Sequence, residues 1–191
     1  KQLKGLGVKA IEITGGGEPT LHPQFREICK LFKEMGFETA LITNGTVLKD
    51  YIDMLDDFSW IRISVDASTP DTYLRIKHGH MPDLSFVRNI KTVIGASFIV
   101  IRENINEITS FAKWAKNLGF DNCRFSYNHD LPNADYYKPY ITQIKASLEE
   151  AKQFEDDNFR VFTLEERLNI WIPKKYSHCY YSDLQMVIAA N

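Results

Sequence analysis

The stretch TGGGEPTLHP, residues 14–23, sets three adjacent glycines against a carboxylate and a proline. Glycine has no Cβ, so a ligand can approach its backbone amides closely, and it adopts positive φ values that other residues avoid. Gly16, Gly17 and Glu18 thus offer open backbone beside a negative charge, a combination that can hold an ammonium group. Pro19 stiffens the exit from the loop. A tight turn with a helix-capping carboxylate has the same composition, and spacing alone does not separate the two readings.

Other polar groups recur at comparable points. Thr43 and Asn44 close LITNG, Ser64 and Asp66 lie in RISVDAS, Asn104 follows SFIVIRE, and Ser126 with Tyr127 ends CRFSY. Each has a structural reading: Asn44-Gly45 as a turn, Asp66 and Asn104 as helix caps. Gathered on one rim, the same hydroxyls, amides and carboxylates suit a polar cofactor with an amino acid end and a ribose. Arg75, in DTYLRIKHG, is either a partner for a carboxylate on that rim or a solvated helix arginine.

The elements that must position these groups alternate. VKAIEIT, ETALITNG, WIRISVDA, SFIVI and CRFSY read as five strands, rich in β-branched and apolar residues. Between them lie helical patterns. In HPQFREICKLFKEMGF, Phe25, Ile28, Leu31, Phe32 and Met35 recur at helical spacing, with Pro23 suited to the first turn and Gly36 to the C-terminal end. VLKDYIDMLDD reads as a short helix, with others over 69–76 and 83–93; INEITSFAKWAKNLGF is the clearest, and YYKPYITQIKASLEEAKQFEDD adds one more. Repeated strand–helix units predict an α/β fold of parallel strands with right-handed crossovers, whose ligands bind at the C-terminal ends of the strands. From about residue 156 the pattern becomes less regular.

Composition narrows the class. Among 191 residues, 44% are hydrophobic and 25% charged, as in an ordinary globular protein. A net charge of -2 gives no general attraction to nucleic acid or an anionic membrane, and no apolar run nears the roughly 20 residues of a membrane span. Cys29, Cys123 and Cys179 are too few and too scattered for a disulfide framework, so a cytoplasmic location is expected. Cys29 and Cys123 read as core residues. The pair His78 and His80, the pair His129 and Asp130, and the tyrosines at 136–140 and 176–181 read as loop or packing residues before they read as ligands.

ITGGGEPTLHP, LITNGT, IRISVDASTPDTYLRIKHG and SFIVIRENINEI, in this order and spacing, resemble the radical S-adenosylmethionine (SAM) enzymes over about residues 8–127. The resemblance implies a partial (β/α)6 TIM-like barrel, open on one side, with a 4Fe-4S cluster and SAM at its top. The cluster would pass an electron to the sulfonium, and the resulting 5′-deoxyadenosyl radical would abstract hydrogen from a peptide, protein or small polar substrate. An external one-electron donor such as flavodoxin or ferredoxin is implied. Carried over by position, Gly16, Gly17 and Glu18 meet the methionyl amino group, with Thr43, Asn44 and Asp66 on the same rim. Ser64 and Arg75 hold the carboxylate, Asn104 serves the ribose, and the backbone at Phe125 and Ser126 serves the adenine.

The family holds its cluster on a CxxxCxxC loop, which this sequence lacks, so those ligands are expected upstream of Lys1. CYYSDLQMVIAAN resembles the entry to an auxiliary-cluster (SPASM-type) domain, which makes Cys179 a candidate ligand of an auxiliary iron-sulfur cluster. The resulting division is a barrel over 1–155 and, over 156–191, a linker with the start of that domain. Relatives usually carry more chain around Val93 and Ile94. Two other readings fit the glycine loop: an iron-free barrel enzyme for a phosphate ligand or nucleotide sugar, and a non-catalytic binding barrel. Against a phosphate stand Glu18 and the lack of Lys or Arg in the loop.

Overall fold

The computed structural model describes residues 2–128 and 136–163. Six strands form one sheet: β1 (Ala10–Ile13), β2 (Glu38–Thr43), β3 (Trp60–Ser64), β4 (Val93–Val100), β5 (Asn122–Tyr127) and β6 (Arg160–Thr163). Their spatial order is their chain order, and all neighbouring pairs are parallel. The helices are α1 (Gln2–Gly5), α2 (Phe25–Glu34), α3 (Ile52–Leu55), α4 (Pro70–Lys77), α5 (Ile108–Leu118) and α6 (Ile141–Lys152). Crossovers of one hand between consecutive neighbours put the helices that connect the strands on the same face of the sheet. The result is an open, barrel-type α/β fold, as expected.

Strand alternation then divides the residues. Ile61 and Ile63 of β3, Ala96 and Phe98 of β4, and Cys123 and Phe125 of β5 are buried against the helices. Helix α5 answers with Ile108, Phe111, Ala112 and Ala115, a helically spaced stripe. Phe98, Phe111 and Phe125 meet with ring centroids 4.7, 5.4 and 5.9 Å apart. Burial of each such ring stabilises the fold by roughly 1.5–3 kcal/mol. The intervening residues, Arg62, Ser64, Ser97, Arg124 and Ser126, share the opposite, inner face and are only half-buried.

Two sequence expectations need correction. The helix expected over 83–93 is a single 3-10 turn, Val87–Asn89, and β4 begins already at Val93, running unbroken through Ile94 in register with β3. Neighbours override local pattern there. The Asp56 carboxylate accepts from the Lys91 and Thr92 amides, Thr92 Oγ1 donates to the Phe58 carbonyl, and Asp121 accepts from the Ile94 amide at 2.7 Å. The second correction is β6, read as irregular chain. It pairs with β5 through Asn122–Arg160 to Phe125–Thr163, so the sheet continues past residue 155. Only Val161 of its four residues is buried, which left the short run without an apolar signal.

Candidate functional site

The glycine loop joins β1 to a 3-10 turn, Pro19–Leu21, that precedes α2. None of Gly15, Gly16 and Gly17 has a left-handed backbone, so the positive φ that glycine allows is not used in this loop. Their contribution is access: Gly16 and Gly17 are exposed, and a Cβ on either would meet nothing within 4 Å. Glu18 caps the turn and does more. Its Oε1 accepts from the Thr20 amide at 3.1 Å, from Thr20 Oγ1, and from Thr43 Oγ1 at 2.6 Å; its Oε2 accepts from the Asn44 amide at 2.6 Å. The carboxylate therefore ties the loop to the end of β2. Oε2, with one donor, keeps acceptor capacity for an incoming ammonium group.

Asn44 itself forms the turn: its Oδ1 accepts from the Thr46 amide and hydroxyl. Gly45, at φ +79, makes the turn possible, and its amide donates to Thr43 Oγ1 at 3.0 Å. A Cβ at Gly45 would fall 2.9 Å from Ile63 Cγ2. Gly45→Ala is therefore expected to destabilise the protein by about 2 kcal/mol, read as a lower urea midpoint with unchanged slope.

A second group lies on β3 and β4. Ser64 Oγ faces Ser97 Oγ at 3.4 Å. Asp66, almost fully buried and at φ +63, accepts from the Ile99 amide at 2.7 Å and pairs with Lys77. Asp66 is thus a brace between strands, not the helix cap that composition allowed. Asn104 is completely buried: its carboxamide donates to the carbonyls of Asp66 and Ile99 and accepts from the Ile101 amide. Its donors are already in use, so Asn104 shapes the rim from beneath instead of presenting itself to a ribose. Ser126, half-buried on the inner face and level with Ile99, lies at the same edge.

Arg75 does not join either group. Its Nη2 donates to Thr72 Oγ1 within α4, at 2.8 Å. The cation at the rim is Lys77, which the sequence reading missed. Thr72 and Tyr73 are the buried residues of α4; Lys77 lies four positions on from Tyr73 along the same face, whereas exposed Arg75 lies two positions on and turns back to Thr72. That spacing was the available signal. Helix α4 is anchored by Glu107, which accepts from the Ser68 amide and hydroxyl and from Thr69 Oγ1. Burial pushes the Glu107 carboxyl up, but hydrogen bonds from Thr72, Ser68 and Thr69 outweigh it and hold its pKa below the usual carboxylate value.

Cys29 and Cys123 are buried free thiols. Burial pushes Cys29 up to about 11; burial, followed by the charge of Glu155, pushes Cys123 up to about 12. Neutral thiols beneath helices are poor metal ligands. Among the described residues no group of three or more His, Cys, Asp or Glu could hold a metal, so the cluster ligand set is not among them. Cys179, His129, Asp130 and the tyrosines at 176–181 lie outside the described residues. Tyr137 is a packing residue, donating to the Val100 carbonyl at 2.7 Å. No described helix is long and apolar enough to cross a membrane.

The thiols also carry a pH signature. Above the ordinary thiol value of 9.0, the unfolded chain releases protons that the folded chain keeps up to about 11 and 12. Stability is therefore expected to be insensitive to these groups below pH 9 and to fall as pH rises through that window. Urea midpoints at pH 8 and 10.5 should converge for a Cys29→Ser, Cys123→Ala variant relative to the parent.

Comparison with known proteins bears on the family and the fold. The family model described as Radical SAM superfamily matches residues 1–122. A probable GTP 3',8-cyclase of Saccharolobus islandicus (strain M.14.25 / Kamchatka #1) is 31% identical over 129 residues, covering 62% of this chain and 41% of the relative. An S-adenosylmethionine-dependent nucleotide dehydratase of Thermoplasmatales archaeon (strain ISO4-H5) is 28% identical over 117 residues, covering 60% and 41%. The chain thus spans about two fifths of the length of these curated relatives. The crystal structure of Streptococcus suis SuiB bound to S-adenosylmethionine superposes with a TM-score of 0.65 at 14% identity, over 85% of this chain and 39% of that one, a likeness of fold. With the family model matched along well over half its length, the chain belongs to the radical SAM superfamily, enzymes that use SAM and a 4Fe-4S cluster.

Proposed function

We propose that this chain supplies the SAM-binding rim of a radical enzyme that abstracts hydrogen from a small polar substrate. The observation that carries the reading is Glu18: a carboxylate fixed by Thr43 and Asn44, with spare acceptor capacity, beside the open backbone of Gly16 and Gly17. These residues fit the methionyl ammonium. Ser64 serves the carboxylate, and the edge at Ser126 serves the nucleoside. Asp66, Lys77 and Asn104 hold that edge in place. Arg75 reaches a ligand only by leaving Thr72.

When bound, SAM and a reduced 4Fe-4S cluster supply a 5′-deoxyadenosyl radical for hydrogen abstraction. The described residues do not fit the cluster, and no step is assigned to them through it. Their own work is to bind and orient, and to keep two strand ends and a loop in one fixed arrangement. The names of the two curated relatives support a nucleotide as the substrate class. The reductant is a one-electron carrier of the flavodoxin or ferredoxin kind.

The test is chemical. The full-length gene product, purified without oxygen and reconstituted with iron and sulfide, is expected to form 5′-deoxyadenosine from SAM on addition of dithionite. Iron incorporation without that product would overturn the proposal. Equilibrium dialysis with labelled SAM reports the rim separately, since it needs no reduction.

A further inference from the structure

We propose that Arg62 and Arg124, on the inner face of the sheet below the rim, form an anion subsite for the phosphate-bearing end of the substrate. This rests on the reading that the substrate lies inside the curve of the sheet, against the SAM-binding rim.

The placement follows from register. Arg62 lies between buried Ile61 and Ile63, and Arg124 between buried Cys123 and Phe125, so both side chains leave the sheet on its inner face. Arg62 is level with Gly95 of β4, and Arg124 is level with Ser97, one row nearer the rim. One strand and one row separate them, a diagonal of about 12 Å that two arginine side chains can close. Both line one cleft of about 590 Å³ that lies along the first residues of β3, β4 and β5, together with Trp60, Asn122 and Phe162. That volume is in the range of small-molecule sites. Gly95 has no side chain, and the Asn122 carboxamide takes the place that one would fill beside Arg62.

No described carboxylate neutralises either guanidinium. The described lysines Lys33, Lys49, Lys77, Lys116 and Lys152 and the exposed Arg26 have carboxylate partners within 4 Å, whereas Arg62 and Arg124 have none among the described residues. Arg62 lies over the Trp60 ring at 4.9 Å, a contact that orients the guanidinium without satisfying its charge. Burial first, and then the like charge of Arg124, hold its pKa below the usual arginine value, against a smaller opposing pull from Glu12. Two half-buried like charges are costly unless an anion meets them.

Their number and shape indicate which anion. Two planar forks present parallel N–H donors that match phosphate oxygens, and a phosphate can carry the two negative charges that a lone carboxylate cannot. Arg62 lies two residues before Ser64, about 6.6 Å below it, whereas Arg124, two residues before Ser126, is level with Ser97 and Ser64, so the subsite runs from the lower row of the rim downward. An anion held there anchors one end of a substrate and leaves the remainder against the rim. Binding at a remote end is then used to orient the reacting carbon.

The test titrates the protein at low salt with inorganic tripolyphosphate and, separately, with acetate, by calorimetry. Tripolyphosphate is expected to bind at least about tenfold more tightly than acetate, and Arg62→Gln or Arg124→Gln to weaken it at least about tenfold. Circular dichroism of each variant, with the Arg62→Lys, Arg124→Lys double variant, separates lost binding from lost fold. Tripolyphosphate binding that is absent in the parent, unchanged in both folded Gln variants, or matched by acetate would overturn the assignment. SAM binding by the unsubstituted protein is measured in parallel: its absence would sink the rim reading, whereas the arginine result stands on its own titration.

Discussion

Glu18→Gln is expected to weaken SAM binding by about ten- to a hundredfold, the equivalent of one charge-assisted hydrogen bond of roughly 1.5–3 kcal/mol. The substitution keeps the length of the side chain and one carbonyl oxygen. That oxygen can still accept from Thr20 and Thr43, so the loop retains its tie to β2. It loses the negative charge and converts the second oxygen, which now accepts from the Asn44 amide, into a donor. Asn44 N–H and the new amide then face each other unpaired, and an ammonium group finds no counter-charge. Calorimetric titration with SAM reads the effect directly. Affinity within about twofold of the parent would sink the role assigned to Glu18. A Thr43→Val variant helps locate the cause. It keeps the carboxylate and removes the 2.6 Å hydrogen bond that positions it, together with the acceptor of the Gly45 amide, so a smaller loss of affinity is expected there.

The strand–helix alternation, the parallel sheet and the loop at residues 14–20 were legible in the sequence because each rests on local pattern. Apolar runs mark buried strands, the stripe of α5 marks its covered face, and Gly36 and Gly119 mark helix ends with left-handed backbones. What was not legible depends on partners distant in sequence. The segment 83–93 has enough apolar spacing for a helix, yet Asp56 and Asp121, from other loops, draw it out into the approach to β4. Strand β6 exists because β5 offers it an edge, not because RVFT announces itself. Asp66 and Asn104 each read as a cap by residue type. Only the fold shows that they are bonded to one another's surroundings, across 38 residues, and that neither caps a helix with its side chain. Arg75 and Lys77 show the same limit: choosing between two cations two residues apart requires knowing which face of α4 meets the sheet.

Asn104→Ala is expected to be the most damaging single substitution to the fold among the residues near the rim. Asn104 has no exposed surface, and its one carboxamide serves three backbone groups: the Ile101 amide at 2.8 Å, the Ile99 carbonyl at 2.8 Å and the Asp66 carbonyl at 2.9 Å. Alanine leaves all three without a partner where water does not enter. Each orphaned group costs about 1–3 kcal/mol, and because they share one cavity the sum is less than additive, about 3–5 kcal/mol in all. For a chain of this size that corresponds to a Tm lower by roughly 10 °C. The loss also reaches the rim. Asp66 is held at φ +63, an arrangement that costs a non-glycine residue roughly 1–2 kcal/mol and persists only while its neighbours enforce it. Without Asn104, that enforcement falls to Lys77 and the Ile99 amide. Asn104→Asp separates the two halves of the effect, since an ionised carboxylate keeps the acceptor for Ile101 and removes both donors. Asn106→Ala is the reference: its side chain is exposed and, among the described residues, bonded only to that of Gln143, so the change should alter stability by no more than about 0.5 kcal/mol. Thermal and urea unfolding of the set decides the matter. An Asn104→Ala protein melting within about 2 °C of the parent would mean that the loop after β4 finds other partners for its backbone, and that the rim does not depend on this residue.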